Sequence, residues 1–119
     1  MANELTLSAS LSFSKGSTDT VSKSISMVLS VTGTDYVKQT QTIGTSVEAI
    51  DLGDIGTPGF IFIRNLDATN YVTLRDGASG ADVVKLQAGE FALFRVGASA
   101  LNAIANTASC IVEYLLIEA

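Results

Sequence analysis

Glu48, Asp51 and Asp54 place three carboxylates within seven residues, with no Lys or Arg among them, and are the densest set of potential ligands or acid–base groups in the chain. Oxygen donors suit calcium, but an EF-hand loop alternates its ligands and this spacing does not, so a solvated acidic rim is expected and no metal ligand is assigned. A second acidic segment, Asp76-Gly77-Ala78-Ser79-Gly80-Ala81-Asp82, echoes one turn of a calcium-binding β-roll. That motif works by stacking copies, and a single copy reads instead as a Gly-rich hairpin loop. Arg64, Arg75 and Arg95 fall on strands or beside turns, where pairing within the sheet to Asp67, Asp76 or Asp82 is favoured over a basic patch.

The 119 residues contain no His, no Trp, one Cys and one Pro. Without His there is no Ser-His-Asp or Cys-His nucleophile pair, no imidazole base and no ordinary zinc or copper site. Paired carboxylates can hydrolyse glycosides, but such sites need a cleft with aromatic platforms, and Tyr36, Tyr71 and Tyr114 are the only tyrosines. No Gly-rich loop opens a helix to cradle a phosphate. Cys110 lies among Ile111, Val112 and Tyr114 and reads as a small buried hydrophobe, since no neighbouring cation would activate a thiolate. The chain is therefore read as no enzyme, with no catalytic or cofactor-binding residue and no cofactor.

Seven Lys and Arg against twelve Asp and Glu give a net charge of -5, which argues against a nucleic-acid partner. The N-terminus lacks a basic signal region, and no apolar run approaches the roughly 18 residues of a membrane span, so a soluble protein made in a cytosol with no membrane partner is expected. Only 16% of residues are charged. So thin a charged coat favours an oligomer, part of whose surface never meets solvent.

The elements that must position these residues are strands. Apolar residues alternate at Leu5, Leu7, Ala9, Leu11 and Phe13, then at Ile25, Met27, Leu29 and Val31, with Ser and Thr mostly between. A period of two predicts two half-buried strands, joined through residues 15–20 as a hairpin. Both apolar sets carry odd numbers, so antiparallel partners must sum to an even number; a sum near 36 pairs Leu11 with Ile25, Ala9 with Met27 and Leu7 with Leu29. Further strands are expected at Tyr36–Ile43, Val47–Leu52, Phe60–Asn65, Tyr71–Arg75, Asp82–Gln87, Glu90–Val96, Leu101–Ala105 and Cys110–Glu118. The apolar run from Phe60 reads as a central strand covered on both faces. Ala88-Gly89 suits a type II turn; were it a two-residue hairpin, Leu86 would face Phe91, Val84 would face Leu93 and Asp82 would face Arg95. Residues 98–108 are the one place where a helical turn is conceivable.

Nine or ten short strands at 8–12-residue spacing predict an all-β, antiparallel sandwich, a jelly roll or related Greek-key barrel, with a long Ser/Thr-rich N-terminal hairpin. One domain spans residues 1–119, and composition shifts near residue 46. Residues 1–46 hold 18 Ser and Thr with three acids and three bases; residues 47–119 hold seven Ser and Thr with nine acids against four bases. Phe60, Phe62, Leu74, Val84, Leu86, Phe91, Leu93, Val112 and Leu115 are the expected core. Leu5, Leu7, Leu11, Ile25, Met27 and Leu29 form either the rest of that core or an intersubunit seam. The hydroxyl-rich hairpin is thus a solvated sheet or an arm, and both readings stand.

Residues 57–72, Thr-Pro-Gly-Phe-Ile-Phe-Ile-Arg-Asn-Leu-Asp-Ala-Thr-Asn-Tyr-Val, and residues 86–95, Leu-Gln-Ala-Gly-Glu-Phe-Ala-Leu-Phe-Arg, resemble small virion structural proteins of tailed bacteriophages. The Leu-x-x-Gly-Glu turn is similar to one found in many jelly rolls. The likeness covers roughly residues 40–119, and the Ser/Thr-rich first part departs from it. The resemblance implies a capsid decoration or cement protein, often trimeric, that reinforces the shell by bridging subunits, or else a tail or fibre component that binds a receptor or glycan. Its partners would be further copies of itself and the major capsid protein or tail proteins. Its place would be the virion, assembled in the cytoplasm of the bacterial host.

Overall fold

The computed structural model describes residues 4–16, 20–97 and 101–119. It is all-β, with ten strands: β1 (Leu5–Ser14), β2 (Thr20–Leu29), β3 (Tyr36–Ile43), β4 (Glu48–Ala49), β5 (Pro58–Asn65), β6 (Val72–Asp76), β7 (Asp82–Leu86), β8 (Phe91–Arg95), β9 (Leu101–Ala105) and β10 (Cys110–Glu118). No helix occurs among the described residues, so the helical turn considered for 98–108 is absent from 101–108, while 98–100 lie outside the described residues. The contacts divide the chain into two units, Met1–Thr32 and Gly33–Ala119. The compositional shift near residue 46 therefore does not mark the structural boundary: β3 is rich in hydroxyls but belongs to the second unit.

The first unit is the antiparallel ribbon β1–β2. Its register pairs Leu7 with Met27 and Ala9 with Ile25, and runs from Leu5↔Leu29 to Ser14↔Thr20. Every pair is two residues away from the expected register, which corrects the pairings of Leu11 with Ile25, Ala9 with Met27 and Leu7 with Leu29. The even parity survives, so the apolar sets still share one face. Pairing runs all the way to Ser14↔Thr20, where the Thr20 hydroxyl donates to Ser14 Oγ at 3.2 Å.

The second unit is a β-sandwich of two four-stranded antiparallel sheets, ordered β3-β10-β5-β8 and β4-β9-β6-β7. The pairs nest along the chain: β3 with β10, β4 with β9, β5 with β8, and β6 with β7. Ile61, Ile63, Val112 and Leu116 from one sheet meet Val72, Leu74, Leu86 and Ala103 from the other in one buried cluster. Each large side chain removed from water there contributes about 1.5–3 kcal/mol. Cys110 is fully buried within it, as its apolar neighbours suggest.

Charged side chains decide which way each strand of the first sheet faces. In β10, Glu113 has odd parity with Ile111, Leu115 and Ile117, and the even set Cys110, Val112, Tyr114 and Leu116 turns inward. Glu113 lies opposite Arg64 in register, so Phe60 and Phe62, which share the parity of Arg64, turn outward and Ile61 and Ile63 turn inward. Arg95 carries Phe91 and Leu93 outward in the same way. This corrects two expectations. β5 is central, between β10 and β8, but is buried on one face only. Of the expected core, Leu74, Leu86 and Val112 are buried and Val84 packs against them, whereas Phe60, Phe62, Leu93 and Leu115 are half-buried and Phe91 is exposed.

The chain passes from β7 to β8 by changing sheets. Gly89 has φ 80°, and the Glu90 N–H donates to the Gln87 carbonyl at 2.9 Å, the geometry of a type II turn. A type II turn splays its flanking strands. β7 accordingly pairs with β6 and β8 with β5, and the alternative ladder Leu86–Phe91, Val84–Leu93, Asp82–Arg95 does not form. Asp82 instead meets Arg75, with Arg75 Nε 2.6 Å from Oδ1, the intra-sheet pairing expected for that arginine. Residues 77–81 form the Gly-rich loop of the β6–β7 hairpin, with Gly77 at φ 81°.

Candidate interaction surface

The ribbon brings the six candidate residues together on one face. Leu5 lies opposite Leu29 and Leu7 opposite Met27; Leu11 and Ile25 lie on the same side, opposite Lys23 and Ala9. Phe13 and Val21 extend the face by one more pair that was not assigned from the sequence, although Phe13 continues its periodicity. Leu11 is 75% exposed and Ile25 60% exposed, while Leu5, Leu7 and Leu29 are half-buried. The other face carries Ser8↔Ser26, Ser10↔Ser24 and Ser12↔Ser22 as directly opposed pairs. Small hydroxyls are well solvated at no packing cost, whereas the odd face leaves the free energy of burying its side chains unrealised. An isolated two-stranded hairpin is at best marginally stable in water.

A second apolar face was not foreseen. In the β3-β10-β5-β8 sheet, Leu93, Phe62, Leu115 and Lys38 are successive register partners, forming a row that crosses all four strands. Phe62 and Phe91 stack with ring centroids 5.5 Å apart. The Arg95 guanidinium lies 4.6 Å from the centroid of the Phe60 ring, a cation–π contact. A shallow groove runs over Lys38, Thr40, Phe62, Glu113 and Leu115. The signal for this face was in the sequence: Arg64 and Arg95 share the parity of these phenylalanines.

Two of the three clustered carboxylates, and Asp67, serve the fold. Glu48 accepts the Gly44 N–H at 2.9 Å, and Asp51 accepts the Gly53 N–H at 2.9 Å and lies 3.5 Å from the Gln39 amide. Asp67 accepts N–H groups from Asn70 at 2.6 Å and Thr69 at 2.9 Å, which hold its carboxyl below the usual carboxylate range. Among the described residues, no group of three or more His, Cys, Asp or Glu is placed to hold a metal ion. Burial pushes the Cys110 thiol up, and the negative charge of Asp67 adds to that, so the sulfur is held as the poorly nucleophilic thiol. The described surface also carries exposed apolar side chains on two sheet faces, the odd face of the ribbon and the outer face of the β3-β10-β5-β8 sheet.

Comparison with known proteins gives no match to a family model, a curated protein or a solved structure.

Proposed function

We propose that this chain is a non-enzymatic structural protein that self-associates through its N-terminal ribbon, and that it serves as a capsid decoration protein of a tailed bacteriophage. The observation that carries the first part is the ribbon itself: ten registered pairs whose apolar face, from Leu5 to Phe13, is left largely exposed. A sequence that alternates so regularly is patterned to bury that face, and a second copy supplies the cover at no cost in new sequence. The second part draws on the resemblance of residues 57–72 and 86–95 to phage virion proteins. It also draws on the nested strand pairing, which is the order produced when one long hairpin is rolled into a jelly roll. The mechanism is buried area multiplied over many copies, with no chemical step. Its partners are its own copies, three in the assembly we favour, and the capsid shell.

Light scattering coupled to size exclusion at micromolar concentration tests self-association: a trimer is expected, and a persistent monomer overturns the reading. Quantitative mass spectrometry of purified virions tests the location. A decoration protein is present in proportion to the shell protein, whereas a tail or fibre component is present in few copies.

A further inference from the structure

Two uncovered apolar surfaces on one chain raise the question of what each packs against. The ribbon face holds nine apolar side chains and one charge, Lys23. The outer face of the β3-β10-β5-β8 sheet holds an aromatic and aliphatic row, three cations (Lys38, Arg64 and Arg95) and one acid, Glu113.

A sheet-to-sheet contact leaves the ribbon face bare, and a ribbon-to-ribbon contact leaves the sheet face bare. Ribbon on sheet covers both with one kind of contact, and the long stems of Lys23, Lys38, Arg64 and Arg95 let their charged heads reach water. At roughly 80 Å² for each large apolar side chain, the ribbon face amounts to roughly 700 Å², close to the ~800 Å² per partner of a standard interface. Docking also gives the Ser ladder a purpose, because it becomes the new outer surface and replaces an exposed aromatic face with solvated hydroxyls.

We propose that the apolar face of the β1–β2 ribbon of one copy lies on the outer face of the β3-β10-β5-β8 sheet of a neighbouring copy. The inference rests on the self-association reading above and names the acceptor surface. The contact is heterologous, each copy giving a ribbon and receiving one, and it closes as a ring when the rotation permits, which is how a trimer arises.

Complementation between two variants of the full chain tests it. Ile25→Glu spoils the ribbon face and Phe62→Glu the sheet face; Phe91→Glu, at a 60% exposed position, replaces the latter if circular dichroism shows Phe62→Glu unfolded. Each variant alone is expected to fall to the mass of one chain. Mixing the two is expected to restore a dimer of twice that mass, since the Phe62→Glu copy keeps an intact ribbon and the Ile25→Glu copy an intact acceptor. A folded sheet-face variant that still assembles as the wild type does overturns the inference while self-association stands. Two monomeric variants that do not pair when mixed also overturn it and point to an isologous contact. A monomeric wild type overturns this inference and the self-association reading together.

Discussion

The Tyr114 hydroxyl donates a hydrogen bond to the Asp51 carbonyl oxygen at 2.7 Å and accepts one from the Gln39 amide at 2.7 Å. Tyr114 is on the inner face of β10 and Gln39 on β3, so this phenol ties the edge of one sheet to the segment that follows β4 in the other. Gln41 adds a second tie, donating to the Ala49 carbonyl at 3.0 Å and accepting the Asp51 N–H at 3.0 Å. β4 has only two residues, and these side chains do the work that a longer ladder would otherwise do.

Tyr114→Phe keeps the ring and its packing but leaves the Asp51 carbonyl and the Gln39 amide short of a partner. Burial pushes the phenol up, so it is protonated and donating throughout the neutral range. The expected loss is about 1–3 kcal/mol. Urea titration checks it: the midpoint falls while the slope stays that of the wild type, because the surface exposed on unfolding is unchanged.

Glu118 gives the fold a pH dependence of predictable sign. Its carboxylate accepts N–H groups from Gly56 at 3.0 Å, Thr34 at 3.0 Å and Asp35 at 3.3 Å, and these bonds hold its pKa below the ordinary glutamate value of 4.5. A folded pKa below the unfolded one means the stabilisation is complete above about pH 4.5 and is lost as pH falls through the folded value. Glu118→Gln is expected to be less stable than wild type at pH 7, with the gap narrowing between pH 4.5 and strongly acid conditions. Asp67, shifted in the same direction, leaves a residual acid slope in both proteins. Thermal melts over the pH series check this; a gap that is the same at every pH refutes it.

The type II turn at Gly89 separates conformational cost from steric cost. A Cβ at Gly89 or at Gly97 meets no atom within 4 Å, but only Gly89 has a positive φ, at 80°. Gly89→Ala is therefore expected to destabilise by about 1–2 kcal/mol from backbone strain alone. Gly97→Ala is expected to be neutral or to stabilise by up to about 1 kcal/mol through the unfolded chain. Parallel denaturation of the two variants decides the matter, and equal effects contradict the turn assignment.

What the sequence made legible follows from what a period of two can encode. It located the bounds of β3, β9 and β10 and the shared apolar face of β1 and β2, because alternation marks both strands and faces. It did not settle the ribbon register, since a shift of two residues leaves every face unchanged and only loop closure distinguishes the options. It misplaced Phe60 and Phe62 because both parities of that run are apolar, and hydrophobicity alone cannot say which set is inside. The charge on Arg64, paired across to Glu113, breaks that tie, but only once β5 is known to lie beside β10. The Tyr114–Asp51 bond was invisible for the same reason: it joins residues 63 apart whose neighbourhood depends on the nested pairing.

Removal of residues 1–32 separates the two roles assigned to the chain. All buried core residues lie between Ile43 and Leu116, within the second unit. The hydrogen bonds that frame that unit, such as the Gly33 N–H to the Ala119 carbonyl at 2.9 Å and the Glu118 N–H to the Asp35 carbonyl at 3.0 Å, also lie within it. The shortened chain, residues 33–119, is therefore expected to keep a β-sheet circular dichroism spectrum and a cooperative melt. It is also expected to run as a single chain by light scattering at concentrations where the full protein assembles, because the ribbon has been removed. Its newly unpartnered aromatic face should bind a hydrophobic dye no more weakly than the intact assembly does, since the cover supplied by neighbouring ribbons is gone. A shortened chain that folds and still assembles at full strength places the self-association surface on the sandwich and removes the ribbon from the mechanism.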